Sequence, residues 1–373
     1  MTLPRRRYAV LSYVSTFSRW HHDPGRDVAV GGIPPTWADP HPRYHRGMSR
    51  SPAPAAPEFG ELEQHRPQLV AHCYRMLGSP FEAEDAVQET LVRAWRGAER
   101  FEGRSALRSW LYRIATNVCL DMAKHSQRRA RPMDLGPARE PIESNLYVPA
   151  EARWIEPIPN SAIATGDDPA EVAEAHESVR LALVAALQHL PARQRAVLIL
   201  REVLRWEATE VAELLDTTVA SVNSALQRAR ATLASRNLSA SGAPEPLTAA
   251  DRRLLERYVA AFERYDLTGL TSLIREDATQ SMPPYDLWLR GREDIFAWWL
   301  GPGIGCRGSR LLPTAGANGR TAFGQYKPGP TGGYDPWSLM VVELSGGLIS
   351  DLTFFLDTAR IFPLFDLPAR LDA

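Results

Sequence analysis

No histidine stands beyond position 189, and all nine lie before residue 190. Proton transfer near neutral pH in the C-terminal part would fall on Asp277, Asp335, Glu343, Asp357 or a tyrosine, and would need a strongly shifted pKa. Catalysis is therefore not expected, and no catalytic residue is assigned. Cysteine is scarce as well: Cys73, Cys119 and Cys306 stand at unrelated spacings with no C-x-x-C pair. That excludes a disulfide framework and gives no reason to expect a metal or other cofactor. No apolar run approaches the ~18 residues of a membrane span. The opening PRRRYAVLSYVSTF is interrupted by Arg19 and followed by no small-residue cleavage site. A cytoplasmic chain without a membrane partner is expected.

Net charge is nearly absent too, at −1, but it is sorted by segment. Glu82, Glu84, Asp85 and Glu89 form an acidic cluster, while Lys124, Arg128, Arg129 and Arg131 follow about forty residues later. Separate segments with opposite charge point to separate partners. At 373 residues with 44% hydrophobic composition, the chain has material for two or three packed domains.

Residues 1–57 carry nine prolines and no periodicity, which predicts an unstructured arm. Met48 opens MSRSPAPAAPEF and would serve as a start of its own, making residues 1–47 an upstream-start artefact. Residues 58–131 read as a compact all-helical domain. Leu62, Leu69, Cys73 and Leu77 share a face and Gly78 stops the helix. Ser79, Pro80 and Glu82 restart the chain as N-cap, first helical residue and capping-box acid. Ala83, Val87, Leu91, Ala94 and Trp95 are the expected buried stripe. A third helix runs from about Ser105 through Trp110, read as core, to the arginines.

Residues 132–170, with seven prolines and seven acids against two basic residues, read as an acidic linker. Residues 171–238 are helical again, and 239–248 form a second linker by composition. Residues 249–373 begin with helices, then turn to RTAFGQYKP, WSLMVVEL and LISDLTFFLD, expected antiparallel strands of an α+β domain.

Within the second helical segment, Asp216, Thr217 and Thr218 join two short helices whose Ala212, Leu215, Val222 and Ala225 fill the angle between them. This is a helix-turn-helix layout over 208–227, with Thr218 as N-cap. In SVNSALQRARATL, Val222, Leu226, Ala229 and Leu233 make one apolar stripe. Ser221, Asn223, Ser224, Gln227, Arg228 and Arg230 face outward, short donors first and arginines farther along. Such a helix suits a DNA major groove. A solvated surface helix is the alternative reading of this helix alone.

GSPFEAEDAVQETLVRAWRGAERFEGRSALRSWLYRIATNVCLDM resembles region 2 of the extracytoplasmic-function (ECF) sigma factors of bacterial RNA polymerase. LPARQRAVLILREVLRWEATEVAELLDTTVASVNSALQRARATL resembles their region 4. The resemblance implies that Asp85, Gln88, Glu89 and Thr90 dock on core polymerase, whose β′ and β subunits are the expected partners. It implies that Arg113, Asn117, Lys124, Arg128 and Arg129 contact the minus-10 element of promoter DNA. Thr218, Ser221, Asn223, Ser224, Gln227, Arg228 and Arg230 would read the minus-35 element, with Arg193 and Arg195 near phosphates. Promoter boxes lie roughly 60 Å apart at ~3.4 Å per base-pair step, and the linker is long enough to span that distance. NGRTAFGQY and GGLISDLTFFLD resemble SnoaL-like members of the NTF2-like superfamily. The implied fold is two all-α domains plus an α+β cone.

The cone is expected to regulate by packing on the sigma regions. Trp154 of the linker, with Trp298, Trp299 and Tyr326 of the cone, are the candidates for regulatory contacts or a ligand pocket. Two alternatives stay open: a ligand-responsive helix-turn-helix regulator, and a SnoaL-type cyclase or isomerase carried on a DNA-binding module.

Overall fold

A computed structural model describes residues 57–101, 106–124, 127–163, 169–235 and 247–372. The expected N-terminal arm, apart from Pro57, and residues 239–246 of the second expected linker lie outside the described residues.

The first helical unit holds α1 (Phe59–Glu63), α2 (Arg66–Leu77), α3 (Pro80–Gly97) and α4 (Leu107–Lys124). Gly78 ends α2 because it takes φ 75°, a left-handed conformation that only glycine adopts without strain. Ser79 then starts α3 in an extended conformation, its side chain accepting from the Glu82 amide at 3.3 Å, with Pro80 at the first turn.

Residues 132–163 of the acidic linker are folded. Its β2 (Arg153–Trp154) pairs in parallel with β1 (Arg129–Ala130), and Ile155, Ile158 and Ile163 are buried. Those isoleucines supply the apolar surface that fixes a segment whose prolines and acids suggest a loose tether.

The second helical unit contains α5 (Pro169–Glu177), α6 (Leu181–Gln188), α7 (Ala192–Leu198), α8 (Ala208–Leu214) and α9 (Val219–Ser235). After α7 the backbone widens into one i→i+5 turn, Leu204 N–H to Ile199 O at 2.9 Å.

The C-terminal unit opens with α10 (Ala249–Arg264) and α11 (Leu267–Thr271). It continues through β3 (Ile274–Ser281), β4 (Trp288–Arg290), α12 (Arg292–Leu300), β5 (Arg310–Pro313), β6 (Thr321–Pro328), β7 (Tyr334–Ser345) and β8 (Leu348–Phe355). The sheet order is β4-β3-β8-β7-β6-β5. It is mixed rather than wholly antiparallel, because β3 and β8 run parallel.

Strand alternation gives the sheet two buried faces. Met340, Val342, Leu352 and Phe354 pack with Leu255, Tyr258, Phe262 and Trp299 of the helices. Val341 and Phe355 instead belong to the same apolar cluster as Leu69, Tyr74, Leu187, Leu198 and Val222 of the helical units. The helical units and the sheet are thus welded through one core along a shared boundary, the seam.

Candidate polymerase and nucleic-acid interfaces

On α3, Asp85, Gln88 and Glu89 are exposed on one side, and Arg93 pairs with Glu89 at 2.7 Å. Thr90 is not part of that surface: it is wholly buried and its hydroxyl donates to Ala86 O at 2.7 Å. Trp95, expected in the buried stripe, is 61% exposed, and Val92 is 39% exposed. At 100° per residue, positions 88, 92 and 95 fall together, opposite Ala83, Val87 and Ala94. The ridge therefore carries an exposed tryptophan, a residue enriched among interface hot spots, beside its acids. Glu82 and Glu84, by contrast, are used inside the fold, Glu82 by Arg129 at 2.8 Å and Glu84 by Arg66.

On α4, Arg113 and Asn117 are exposed on one face, and Lys124 pairs with Asp121 at 2.8 Å. Two of the expected minus-10 contacts are engaged by the second helical unit. Arg113 donates to Glu213 O of α8 at 2.6 Å, and Arg128 lies 2.7 Å from His189 Nδ1. Arg129 is a correction: it is 8% exposed, pairs with Glu82 and Glu156, and donates to Trp154 O at 2.7 Å. Its position in β1 turns it into the acid-lined gap under β2, where it clamps the linker instead of facing DNA. Trp154 is half-buried in β2, which pairs with β1 beside Arg129 and not with the strands of the C-terminal sheet.

The helix-turn-helix is present as spaced. Asp216 takes φ 48°, the left-handed turn position that usually favours glycine, and Thr218 accepts from the Ser221 amide at 3.1 Å to cap α9. Val222, Leu226, Ala229 and Leu233 are buried, while Thr218, Ser221, Asn223, Gln227, Arg228 and Arg230 are exposed and Ser224 is half-buried. Arg228 donates to Ser224 Oγ at 2.7 Å, and Arg230 is paired with Glu202. Arg193 donates to Leu215 O at 2.8 Å. Arg195 is buried on Met76 O, Gln188 and Leu190 O, and burial lowers its pKa to about 10. Arg195 ties the two helical units together and is not placed to meet phosphate.

In the C-terminal unit, Trp298, Trp299 and Tyr326 are core residues and not the walls of an open pocket. Trp299 donates to Gln280 Oε1 at 2.8 Å and meets Phe262 edge-on at 5.5 Å. Trp298 and Trp299 line a space between sheet and helices of only about 20 Å³. Tyr326 points to the opposite face, where it donates to Pro368 O at 2.8 Å.

The seam is held by residues the sequence did not single out for that role. Asn318, in the turn before β6, is wholly buried and its side chain makes three hydrogen bonds to three segments. Its Nδ2 donates to Tyr74 Oη of α2 and to Val179 O, both at 2.7 Å, and its Oδ1 accepts from Ile158 N at 3.1 Å. Close by, Arg180 pairs with Glu177 at 3.1 Å and Glu343 at 2.7 Å, and Arg320 pairs with Glu177 at 3.5 Å. Burial disfavours charged Arg180, but Glu343 and Glu177 outweigh it and its pKa is raised; for Arg320 and Glu177 burial wins, lowering the first and raising the second. At the other end, Trp288 donates to Gly136 O at 2.9 Å and Arg139 pairs with Asp286 at 2.5 Å. An Asn-Gly turn reads locally as a hairpin signal; nothing in its spacing announces partners far away in the chain.

Residues 62–129 match the Sigma-70 region 2 family, and residues 180–233 match the Sigma-70 region 4 family. The ECF RNA polymerase sigma factor SigG of Mycobacterium tuberculosis is 44% identical over 318 residues, covering 83% of both chains. SigJ, from the same organism, is 29% identical over 222 residues, 60% of this chain and 64% of that one. The crystal structure of Mycobacterium tuberculosis SigJ matches 83% of this chain and 100% of its own at TM-score 0.53 and 22% identity, a shared fold that extends through the C-terminal sheet. The chain belongs to the ECF sigma factors of RNA polymerase, subunits that direct core enzyme to promoters in the cytoplasm, and joins regions 2 and 4 to a C-terminal domain of mixed sheet and helices.

Proposed function

We propose that the C-terminal domain, an NTF2-like cone, is a brake built into the sigma factor. On this reading the α3 ridge of Asp85, Gln88, Glu89, Val92 and Trp95 docks on the β′ subunit of core polymerase. The exposed α4 residues read the minus-10 element and the outward face of α9 reads the minus-35 element. The two DNA-reading units must then separate by roughly 60 Å. In the docked chain they share one core, and Arg113 and Arg128 are held by Glu213 and His189.

The observation that carries the proposal is Asn318, whose single side chain bonds region 2, the linker and the start of region 4 together. The brake works by packing, without catalysis: the space between sheet and helices is filled by Trp298, Trp299 and neighbouring aromatics. The acidic linker, ordered against β1 here, becomes the extended tether when the domains part.

The test is a wedge. Gly319 takes φ 70°, and a Cβ there would stand 2.5 Å from His176 O across the seam. Gly319→Ala is expected to raise promoter-dependent transcript by about tenfold when added to core polymerase, the effect of ~1.4 kcal/mol of lost docking. A transcript level equal to or below that of the unmodified chain would remove the brake from the account.

A further inference from the structure

A cavity of about 460 Å³ lies in the seam, within the ~300–1,000 Å³ range of small-molecule sites. Its two walls differ in chemistry. The sheet side presents Thr279, Glu343, Asp351 and Thr353, from β3, β7 and β8. The opposite side presents Leu183, Leu187, Leu198, Val203 and Leu233, from α6, α7, the turn after it and the end of the DNA-reading helix. An occupant must therefore be amphipathic, with its polar end toward the sheet.

The charges decide which polar end fits. The lining carries five carboxylates and four guanidiniums. Most are matched within the fold: Glu202 by Arg230, Asp277 by Arg275 at 2.7 Å, Glu177 and Glu343 by Arg180, and Arg131 by Asp134 at 3.2 Å, while the Arg290 guanidinium on β4 lies over the Trp288 ring at 4.9 Å. Asp351 takes part in no ion pair among the described residues; it accepts hydrogen bonds from Thr279 and, at 2.9 Å, Thr353. Burial, and then the neighbouring Glu343 charge, push its pKa up to about 6. A cation delivered beside it removes that penalty.

We propose that the seam cavity binds a small organic cation, its ammonium head on Asp351 and its apolar body against the leucines of region 4. The site rests on the docked arrangement proposed above, because both walls meet only there. Its occupant therefore favours the docked form by mass action and holds the brake on.

Octylammonium, 1-octanol and octanoate titrated calorimetrically into the full chain test this. Octylammonium is expected to bind at one site, at least tenfold more tightly than either of the others. Asp351→Asn should lose at least tenfold in that affinity while leaving octanol unchanged. Ala182→Phe, which fills the cavity from the region 4 side, should weaken all three. Equal affinities for the three probes, no saturable binding, or an unchanged Asp351→Asn would each overturn the site. The Gly319→Ala transcript level reports on the brake separately, so failure of one reading is distinguishable from failure of the other.

Discussion

Asn318→Ala is expected to release the C-terminal domain from the sigma regions. The substitution orphans two groups inside a wholly buried site, the Val179 carbonyl and the Ile158 amide, while the Tyr74 hydroxyl loses one donor and keeps its own bond to Glu156 O at 2.8 Å. Each unsatisfied buried polar group costs ~1–3 kcal/mol, which gives ~2–6 kcal/mol for the carbonyl and the amide together. Asn318 also takes φ 51°, a left-handed conformation that asparagine tolerates and alanine does not. Even the lower figure shifts the docked-to-undocked ratio by about 30-fold. Sedimentation velocity is the direct check: the variant should sediment more slowly than the parent at equal mass. An unchanged sedimentation coefficient would mean that the hydrogen bonds are incidental to docking.

The second large effect belongs to Glu343. Its carboxylate faces Arg180, whose side chain is 4% exposed, and stands 3.9 Å from Arg320. Glu343→Ala leaves Arg180 with Glu177 as its carboxylate neighbour in a site that water hardly reaches. Breaking a buried pair from one side costs ~3–5 kcal/mol, whereas exchanging both partners for apolar residues is often neutral. The single variant should therefore undock, and Arg180→Met combined with Glu343→Leu should largely restore docking, with Arg320 and Glu177 left as a pair at 3.5 Å. Sedimentation again separates the cases. A double variant as open as the single one would show that the cluster acts through specific geometry and not through charge balance.

The helices were legible because their signals are local. Ser79 and Pro80 start α3, Gly78 stops α2, and the stripe Val222, Leu226, Ala229, Leu233 repeats at helical spacing. The helix-turn-helix survives Asp216 because asparagine and aspartate can adopt a left-handed turn at modest cost. The last three strands were legible from their β-branched and aromatic runs. Strand β3, IREDATQS, was not, because its central charges lie where the sheet meets solvent and seam, and the burial alternation is broken by a register shift between Ile274 and Thr279.

Candidate sites were less legible than elements. Asp85, Gln88 and Glu89 emerge on the surface of α3, but Thr90 sits one step round the helix and is buried, and Trp95 faces the other way from the apolar line it seemed to continue. Arg129 and Arg195 looked like phosphate ligands because charge alone is visible in sequence; their burial depends on Glu82, Glu156 and Gln188 brought from elsewhere. The seam was the least legible of all. Asn318 bonds Tyr74 across 244 positions, and no periodicity connects residues so far apart.

Spin labels at Arg93→Cys on α3 and Ala231→Cys on α9, in a Cys306→Ser background, give the most direct test of the closed arrangement. One narrow distance distribution is expected in the free chain, replaced by a much longer distance, as for promoter boxes roughly 60 Å apart, once core polymerase and promoter DNA are added. The same distribution in both states, or a broad one in the free chain, would contradict it.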